Sequence, residues 1–571
     1  MRGRLYKAEK MDSIRDLIKR SVKLFGDGVA FREIDRQKQV IEYTYRKLEN
    51  DVRALGTKLI DMGMKGYHIA VIGENAYQWV VSYLAVINGV GVVVPLDKDL
   101  TDDDIKKLLL MSDSDAIICS GTFTEAVMKA LPECPGLKAC IVMNGQNPPE
   151  GFRCLTGLIE DGYALLEAGD SRYTECEIDT GALGEIVFTS GTTGANKGVM
   201  LSHKNLMAVV YGVMCLMKVE GVSISVLPIS HTYECTCHIL GGMYSGLTIC
   251  FNDSLKRVAD NMRLFQPDIG VMVPLFLETM LRNIWTHAKK EGLDKHLKYG
   301  IALSNLLRVI GLDFRRLYFG PVLNNFGGNL KLIICGGAPL GKETMKGIED
   351  LGIDIINGYG ISECGPLVSS NSMLWRKKGS VGRVMPGCTV KIMNPDKKGV
   401  GEILVRGDNV MLGYYKDEEN TRRSFTDDGW FMTGDLGYLD RNNFLYICGR
   451  KKNLIILSNG KNVHPEELEQ AIVEKLAYVK EVIVYASVAS NGTQDAITAC
   501  IYLDDEFIQS SEITDIRERL DEDIKQLNRA LPSFKRIAKT IIRDTEFDKT
   551  TTRKIKRTRL DEQSGRRAES V

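Results

Sequence analysis

The sequence has no excess of either charge, since Lys and Arg total 74 and Asp and Glu total 74. With no net charge, nothing at the level of the whole chain argues for a polyanionic partner, so no nucleic-acid partner is expected. A long apolar run is also missing. The most apolar stretch, Trp79 to Val94, is broken by Asn88, Gly89 and Gly91 and followed by Pro95. It falls short of the ~20 unbroken residues a bilayer core requires and reads instead as a buried helix running into a buried strand. Met1 to Lys10 is charged and carries no signal-like apolar core, which sets the expectation of a cytoplasmic protein with at most peripheral contact at the inner membrane face. The fourteen cysteines follow no framework spacing, so reduced thiols are expected. Cys235-Thr-Cys237-His238 suggests zinc, but no second cluster completes four ligands. There is no fixed-period repeat and no low-complexity tract.

What is present is a chain of 571 residues, too long for a single core. Its apolar segments alternate with helical patterns. Ser13 to Leu24 has helical periodicity, Val29–Phe31 and Val40–Tyr43 read as a hairpin, and Thr44 is placed to cap the next helix. Short apolar runs follow at Tyr67–Gly73, Val90–Pro95, Asp115–Cys119, Ala139–Met143, Ile224–Pro228, Leu247–Phe251, Ile269–Pro274 and Leu330–Cys335. Strand–helix–strand repetition of this kind predicts an α/β fold with parallel sheets. After Lys451-Lys452 the rhythm changes to α+β.

One stretch dominates. Behind the apolar run Glu185–Phe188 come the hydroxyls Thr189, Ser190, Thr192 and Thr193, the glycines Gly191, Gly194 and Gly198, and Lys197. Glycines let backbone N–H groups converge on an anion, hydroxyls add donors, and a lysine adds a mobile charge for phosphate oxygens. This is not the Walker A loop, because Gly198 follows Lys197 where a hydroxyl is needed. A second near-match, Gly336 to Gly341-Lys342, fails in the same way: Glu343 stands where magnesium would need a hydroxyl.

Asn357-Gly-Tyr-Gly-Ile-Ser-Glu-Cys-Gly365 brings an aromatic face, a hydroxyl and a carboxylate into a few residues. Those groups suit adenine, phosphate and magnesium in turn. Asp435, in Thr433-Gly-Asp435, has the bidentate carboxylate that two ribose hydroxyls would take, though an aspartate at a turn more often closes the turn. A lone histidine such as His231 is more often structural than catalytic.

Taken in order, these motifs resemble the adenylate-forming superfamily of acyl-CoA synthetases, adenylation domains and luciferases. The resemblance covers the chain from Gly73-Glu-Asn75 to Lys554 and is most specific over Thr189 to Val199. Gly73-Glu-Asn75, the segment after Val273-Pro274 with Glu278, and Asn453 to Val463 look most like the bacterial long-chain fatty acid–CoA ligases. Trp285 to Gly328 resembles that class's insertion; its other reading is a solvent-facing helical pair.

The resemblance implies a large N-terminal domain, residues 1–450, with parallel-sheet α/β parts and a barrel-like part. It also implies a small mobile α+β domain, residues 451–571, hinged at Lys452. ATP would be held by Thr189, Ser190, Gly191, Thr192, Thr193, Gly194 and Lys197. Gly337, Ala338, Pro339, Asn357, Gly358, Tyr359, Gly360 and Ser362 would join them, with Asp435 and Arg450 at the ribose. Mg²⁺ would sit on Glu363 and Ser190. His231 and Tyr233 would meet the substrate carboxylate, and Lys554 would be catalytic with Glu363 and His231. Arg553 stands before that lysine where the superfamily usually has glycine, and Lys556 is the second candidate. The implied activity joins a fatty acid to AMP and then to CoA. A carrier protein as acceptor, a medium-chain or aryl acid as substrate, and a nucleotide-binding regulator or P-loop NTPase are the alternatives. Oligomeric state is not legible.

Overall fold

A computed structural model describes residues 4–145, 148–190, 196–458, 461–487, 496–510, 515–549 and 555–557, without the side chains of Ser190, Glu506 and Ser510. The chain forms two compact units. The first comprises Met1–Leu340, Met345–Thr389 and Val405–Phe431; the second comprises Gly341–Thr344, Val390–Leu404 and Met432–Val571.

The first unit is α/β, as its segment pattern predicts. One of its sheets has nine strands, whose parallel middle runs Asp354–Tyr359, Leu332–Cys335, Ile269–Met272, Val222–Ser225 and Thr248–Phe251. Another has eight among the described residues. Its middle places Glu185–Ser190 beside Val92–Leu96, then His68–Ile72, Ala116–Cys119 and Ala139–Val142, all parallel. These strands are apolar on both faces because helices cover both. The Trp79–Val94 stretch divides as expected into the helix Tyr77–Ala85, a π turn at Val86–Val90 and the strand Val92–Leu96. The hairpin Val29–Ile34/Val40–Thr44 forms, and Thr44 accepts the Lys47 N–H to cap Tyr45–Asp61.

The stretch from Trp285 is helical: Pro274–Lys290, Asp294–Val309, Arg315–Tyr318 and Gly320–Asn324. The inward side chains of these helices, among them Leu277, Ile284, Leu297 and Phe319, join the core made by Ile224, Val271, Ile333 and Ile355 of the nine-stranded sheet.

Most of a four-stranded sheet, Cys388–Met393, Gly401–Gly407, Phe431–Leu439 and Leu445–Arg450, lies in the second unit; its residues belong to the stretch 1–450 in which a barrel-like part is expected. Beyond it Val479–Ser487 pairs antiparallel with Ala496–Leu503, which pairs parallel with Ile537–Arg543. The helices Pro465–Lys475 and Ile516–Ala530 bury Leu468, Ile472, Leu520 and Ile524 against these strands. All fourteen cysteines are free thiols. Among the described residues no helix is long and apolar enough to cross a membrane.

Candidate active site

In the first unit the candidate residues follow the carboxyl ends of strands in both sheets, where open α/β sheets place their ligands. Glu185–Ser190 turns back as the antiparallel strand Asn196–Leu201, with Thr189 opposite Lys197 and Ser190 opposite Asn196. The loop residues Gly191, Thr192, Thr193 and Gly194 lie outside the described residues, as does Lys554 of the second unit.

Lys197 Nζ stands 4.7 Å from the centre of the Tyr414 ring, a cation–π distance. The Tyr414 hydroxyl donates to Glu363 Oε1 at 3.0 Å. Burial, reinforced by the Glu363 charge, pushes the Tyr414 phenol up, so it stays a donor. Three side chains far apart in sequence thus form one row: cation, ring, carboxylate. Backbone bonds fix the row. Leu412 N–H donates to Met200 O at 2.9 Å and Tyr415 N–H to Gly198 O at 2.7 Å. Met411 N–H donates to Glu363 O at 2.9 Å.

Glu363 sits in the 3₁₀ turn Ser362–Cys364, just past Asp354–Tyr359. The approach to that turn is tight: a Cβ on Gly360 would lie 1.7 Å from Pro366 O, so only glycine fits there. Tyr359, Ser362 and Glu363 are all half-buried. Asn357 donates its amide to Ser380 O at 3.1 Å and accepts from Asn371 at 2.6 Å. Both ends of its side chain therefore brace the strand end.

His231 is presented by the turn after Val222–Ser225. Its Nδ1 accepts the Tyr233 N–H at 3.2 Å, which places the proton of the neutral ring on Nε2. Thr232 Oγ1 donates to Ser362 Oγ at 3.4 Å and links this turn to the Glu363 turn. Past Leu332–Cys335, Gly337, Ala338 and Pro339 are exposed. A Cβ on Gly336 would come within 3.0 Å of the Tyr233 ring, and one on Gly337 within 3.4 Å of Val273. The two glycines leave room beside the half-buried apolar side chains Tyr233, Val273 and Phe276.

His238, of the zinc-like stretch, holds Glu234 Oε1 at 2.7 Å on Nδ1 and Ser223 Oγ at 2.9 Å on Nε2. Both ring nitrogens are thereby engaged.

In the second unit Asp435 lies opposite Arg450 across two strands, with Oδ1 at 2.8 Å from Nε. The carboxylate is buried and the guanidinium half-buried. Lys452 follows in the 3₁₀ turn Lys451–Asn453; burial and then the charges of Arg450 and Arg557 hold its ammonium below the ordinary lysine value. Lys556 is exposed, and its backbone N–H donates to Asp548 O at 2.7 Å.

The AMP-binding enzyme family matches residues 18–415. The AMP-binding enzyme C-terminal domain matches residues 452–566. The chain is an AMP-binding enzyme. It is 29% identical over 455 residues to the Long-chain-fatty-acid--CoA ligase FadD15 of Mycobacterium bovis, covering 76% of this chain and 73% of that protein. To the Long-chain-fatty-acid--CoA ligase ACSBG1 of Rattus norvegicus it is 28% identical over 485 residues, covering 80% of this chain and 66% of that protein. The A domain of carboxylic acid reductase from Segniliparus rugosus, solved with AMP and a co-purified carboxylic acid, superposes with a TM-score of 0.78 at 19% identity. That alignment covers 97% of this chain and 93% of that one and shows a shared fold.

The structure of this AMP-binding enzyme adds two residues to the sequence-derived site. Tyr414 is one. Its Gly-Tyr-Tyr setting carries no local signal, because its role comes from pairing with Val199 at a sheet edge. Asn75 is the other. Its amide donates to Ser225 Oγ at 2.9 Å and Leu227 O at 2.7 Å, and accepts the Ile229 N–H at 3.1 Å. It thus clamps the turn that presents His231. Asn75→Ala removes three hydrogen bonds from a half-buried turn and should cost about 1–3 kcal/mol in a denaturant melt. Adenylation should fall roughly tenfold in kcat/KM as His231 loses its fixed place. A variant as stable and as active as the parent would remove Asn75 from this role.

Proposed function

We propose that this enzyme is a cytoplasmic, ATP-dependent fatty acid–CoA ligase acting on long-chain acids. The family match supports adenylate chemistry, and the activity named for the relatives supports the acyl class. The observation that carries the reading within the chain is the row Lys197–Tyr414–Glu363, which joins two motifs recognised separately in sequence.

A carboxylate is a poor acyl donor because oxide would have to leave. In the first step a carboxylate oxygen attacks the α-phosphorus of ATP. The bond to the bridging oxygen breaks, and pyrophosphate departs with its charge. Lys197 and the glycine–threonine loop would take that charge, and Lys554 would bridge carboxylate and α-phosphate. Such work is positioning and electrostatic stabilisation, which suits phosphoryl and nucleotidyl chemistry. In the second step the CoA sulfur attacks the acyl carbon, its proton is lost, and AMP leaves. Tyr359 is assigned to adenine. Asp435, oriented by Arg450, is assigned to the ribose, and Lys452 to a hinge between the two steps. Gly336, beside Tyr233, is assigned to the acyl pocket wall.

Magnesium fits the donors present. Among the described residues the Glu363 carboxylate has one side-chain donor, Tyr414, on one oxygen, and Mg²⁺ is usually held by one or two carboxylates plus substrate phosphates. Glu363 with Ser190 would hold it, and it would neutralise phosphate charge.

The test is product identity. With ATP, palmitate and CoA the enzyme should release AMP and pyrophosphate in step with thioester. Release of ADP and orthophosphate would overturn the reading. A holo carrier protein outcompeting CoA would move the acceptor, and a panel of aryl, medium and long-chain acids would place the substrate.

A further inference from the structure

The helical segment after Trp285 has an outer surface as apolar as its inner one. Among the described residues ten of the twenty-three exposed large apolar side chains fall within residues 293–318. The helix Asp294–Val309 buries Leu297 and Ser304 inward. Outward it carries Tyr299, Leu303 and Leu306, and Ile310 continues the same face. The spacing is helical, so one helix has two apolar stripes, and only one of them meets a core. Val309 is 82% exposed and Leu317 80%.

This surface is built rather than frayed. Arg315 is buried, paired with Asp313 at 2.7 Å and bonded to Glu349 O. Arg316 donates to Leu330 O at 2.7 Å and Gly328 O at 2.8 Å. Both arginines therefore tie down the turn that carries Leu312, Phe314 and Leu317 outward. Gly300 lets Tyr318 cross the long helix closely, since a Cβ there would lie 2.2 Å from the Tyr318 ring. An exposed apolar surface held rigid in this way marks an interaction site.

Charge identifies the partner. The chain is neutral overall, yet residues 285–320 contain seven Lys and Arg against three Asp and Glu. With Arg315 and Arg316 turned inward, Lys289, Lys290, Lys295, Lys298 and Arg308 remain exposed on this segment against the exposed Glu291 and Asp313. A second copy of this chain would bring the same positive rim against itself. We propose that this surface docks the enzyme on an anionic lipid bilayer, the apolar side chains entering the acyl boundary and the lysines meeting headgroup phosphates. The inference stands on the surface alone, whatever acid the enzyme takes.

The test is co-sedimentation of the full chain with vesicles of phosphatidylcholine alone or mixed with phosphatidylglycerol. The parent should pellet with the anionic vesicles, and the combined variant Leu306→Glu, Val309→Glu, Leu317→Glu should bind at least about tenfold less. Lys295→Gln with Lys298→Gln should weaken binding to anionic vesicles by roughly 30-fold and leave neutral vesicles unaffected. Thermal melts check folding, and single Leu317→Ser serves if the triple variant melts early. Failure of the parent to pellet, or equal binding by the variants, overturns the proposal. So does a dimer in sedimentation velocity that the same substitutions disperse without any vesicle binding. ADP formation in the product assay would leave this result untouched, so the two readings fail separately.

Discussion

Lys554→Ala is expected to lower acyl-adenylate formation by about 10³-fold or more, the scale of losing a preorganised charge at the transition state. Thioester formation from supplied acyl-adenylate should stay within about threefold of the parent, because an interaction made only in one transition state is lost only from that step. The reason is where charge develops. In the first step two anionic groups, the acid and the α-phosphate, must approach each other, and one cation between them offsets the repulsion. In the second step the attacking group is a thiol and the leaving group is AMP, so that cation has no bridge to make. Single-turnover assays of each half-reaction read the two effects. Lys556→Ala is the control. The Lys556 backbone is fixed by Asp548, and Ile555 bridges Lys549, so removing its exposed side chain should leave both steps near parental. If Lys556→Ala shows the loss instead, the assignment moves two residues along. Equal loss of both steps in Lys554→Ala refutes the division of labour.

Glu363→Gln should reduce ATP–pyrophosphate exchange by about 10²–10³-fold, since a neutral amide neither holds a hard cation nor fixes phosphate charge. Tyr414→Phe separates the components of the row. It keeps the ring beneath Lys197 and deletes only the hydroxyl bonded to Glu363. A hydrogen bond to a charged group is worth about 1.5–3 kcal/mol, so roughly a tenfold rise in the Mg²⁺ needed for half-maximal exchange is expected, with kcat close to parental. A Mg²⁺ titration of exchange for the parent and both variants checks this. Should Tyr414→Phe fall as far as Glu363→Gln at saturating Mg²⁺, the hydroxyl acts in the chemistry itself, and its bracing role is wrong.

Local chemistry made much of this enzyme legible. Parallel strands were readable because burial on both faces writes uninterrupted apolar runs such as His68–Ile72. Thr44 was readable as a cap because its hydroxyl acts within one turn. The anion loop and the Tyr359–Glu363 motif each declare a donor set in a few consecutive residues. Tyr414 could not be read, because its partners Lys197 and Glu363 come to it only through an edge strand. Asn75 was visible within Gly-Glu-Asn, but its clamp on Leu227 and Ile229 depends on two sheets meeting. The charged, leucine-rich stretch after Trp285 was readable as an insertion or a solvent-facing helical pair. Which of its two apolar stripes faces the core was not, since periodicity marks both alike.

By itself, then, the sequence determined the alternation of strands and helices, the membership of a nucleotide-handling family and the residue types that meet phosphate. Those properties arise from interactions within a turn or a strand. The tertiary structure alone decided that Lys197 and Glu363 share one tyrosine, that Asn75 sets the His231 turn, and that one apolar face after Trp285 is left to solvent. Each of these depends on contacts between segments far apart in the chain, and such contacts leave no local pattern to read.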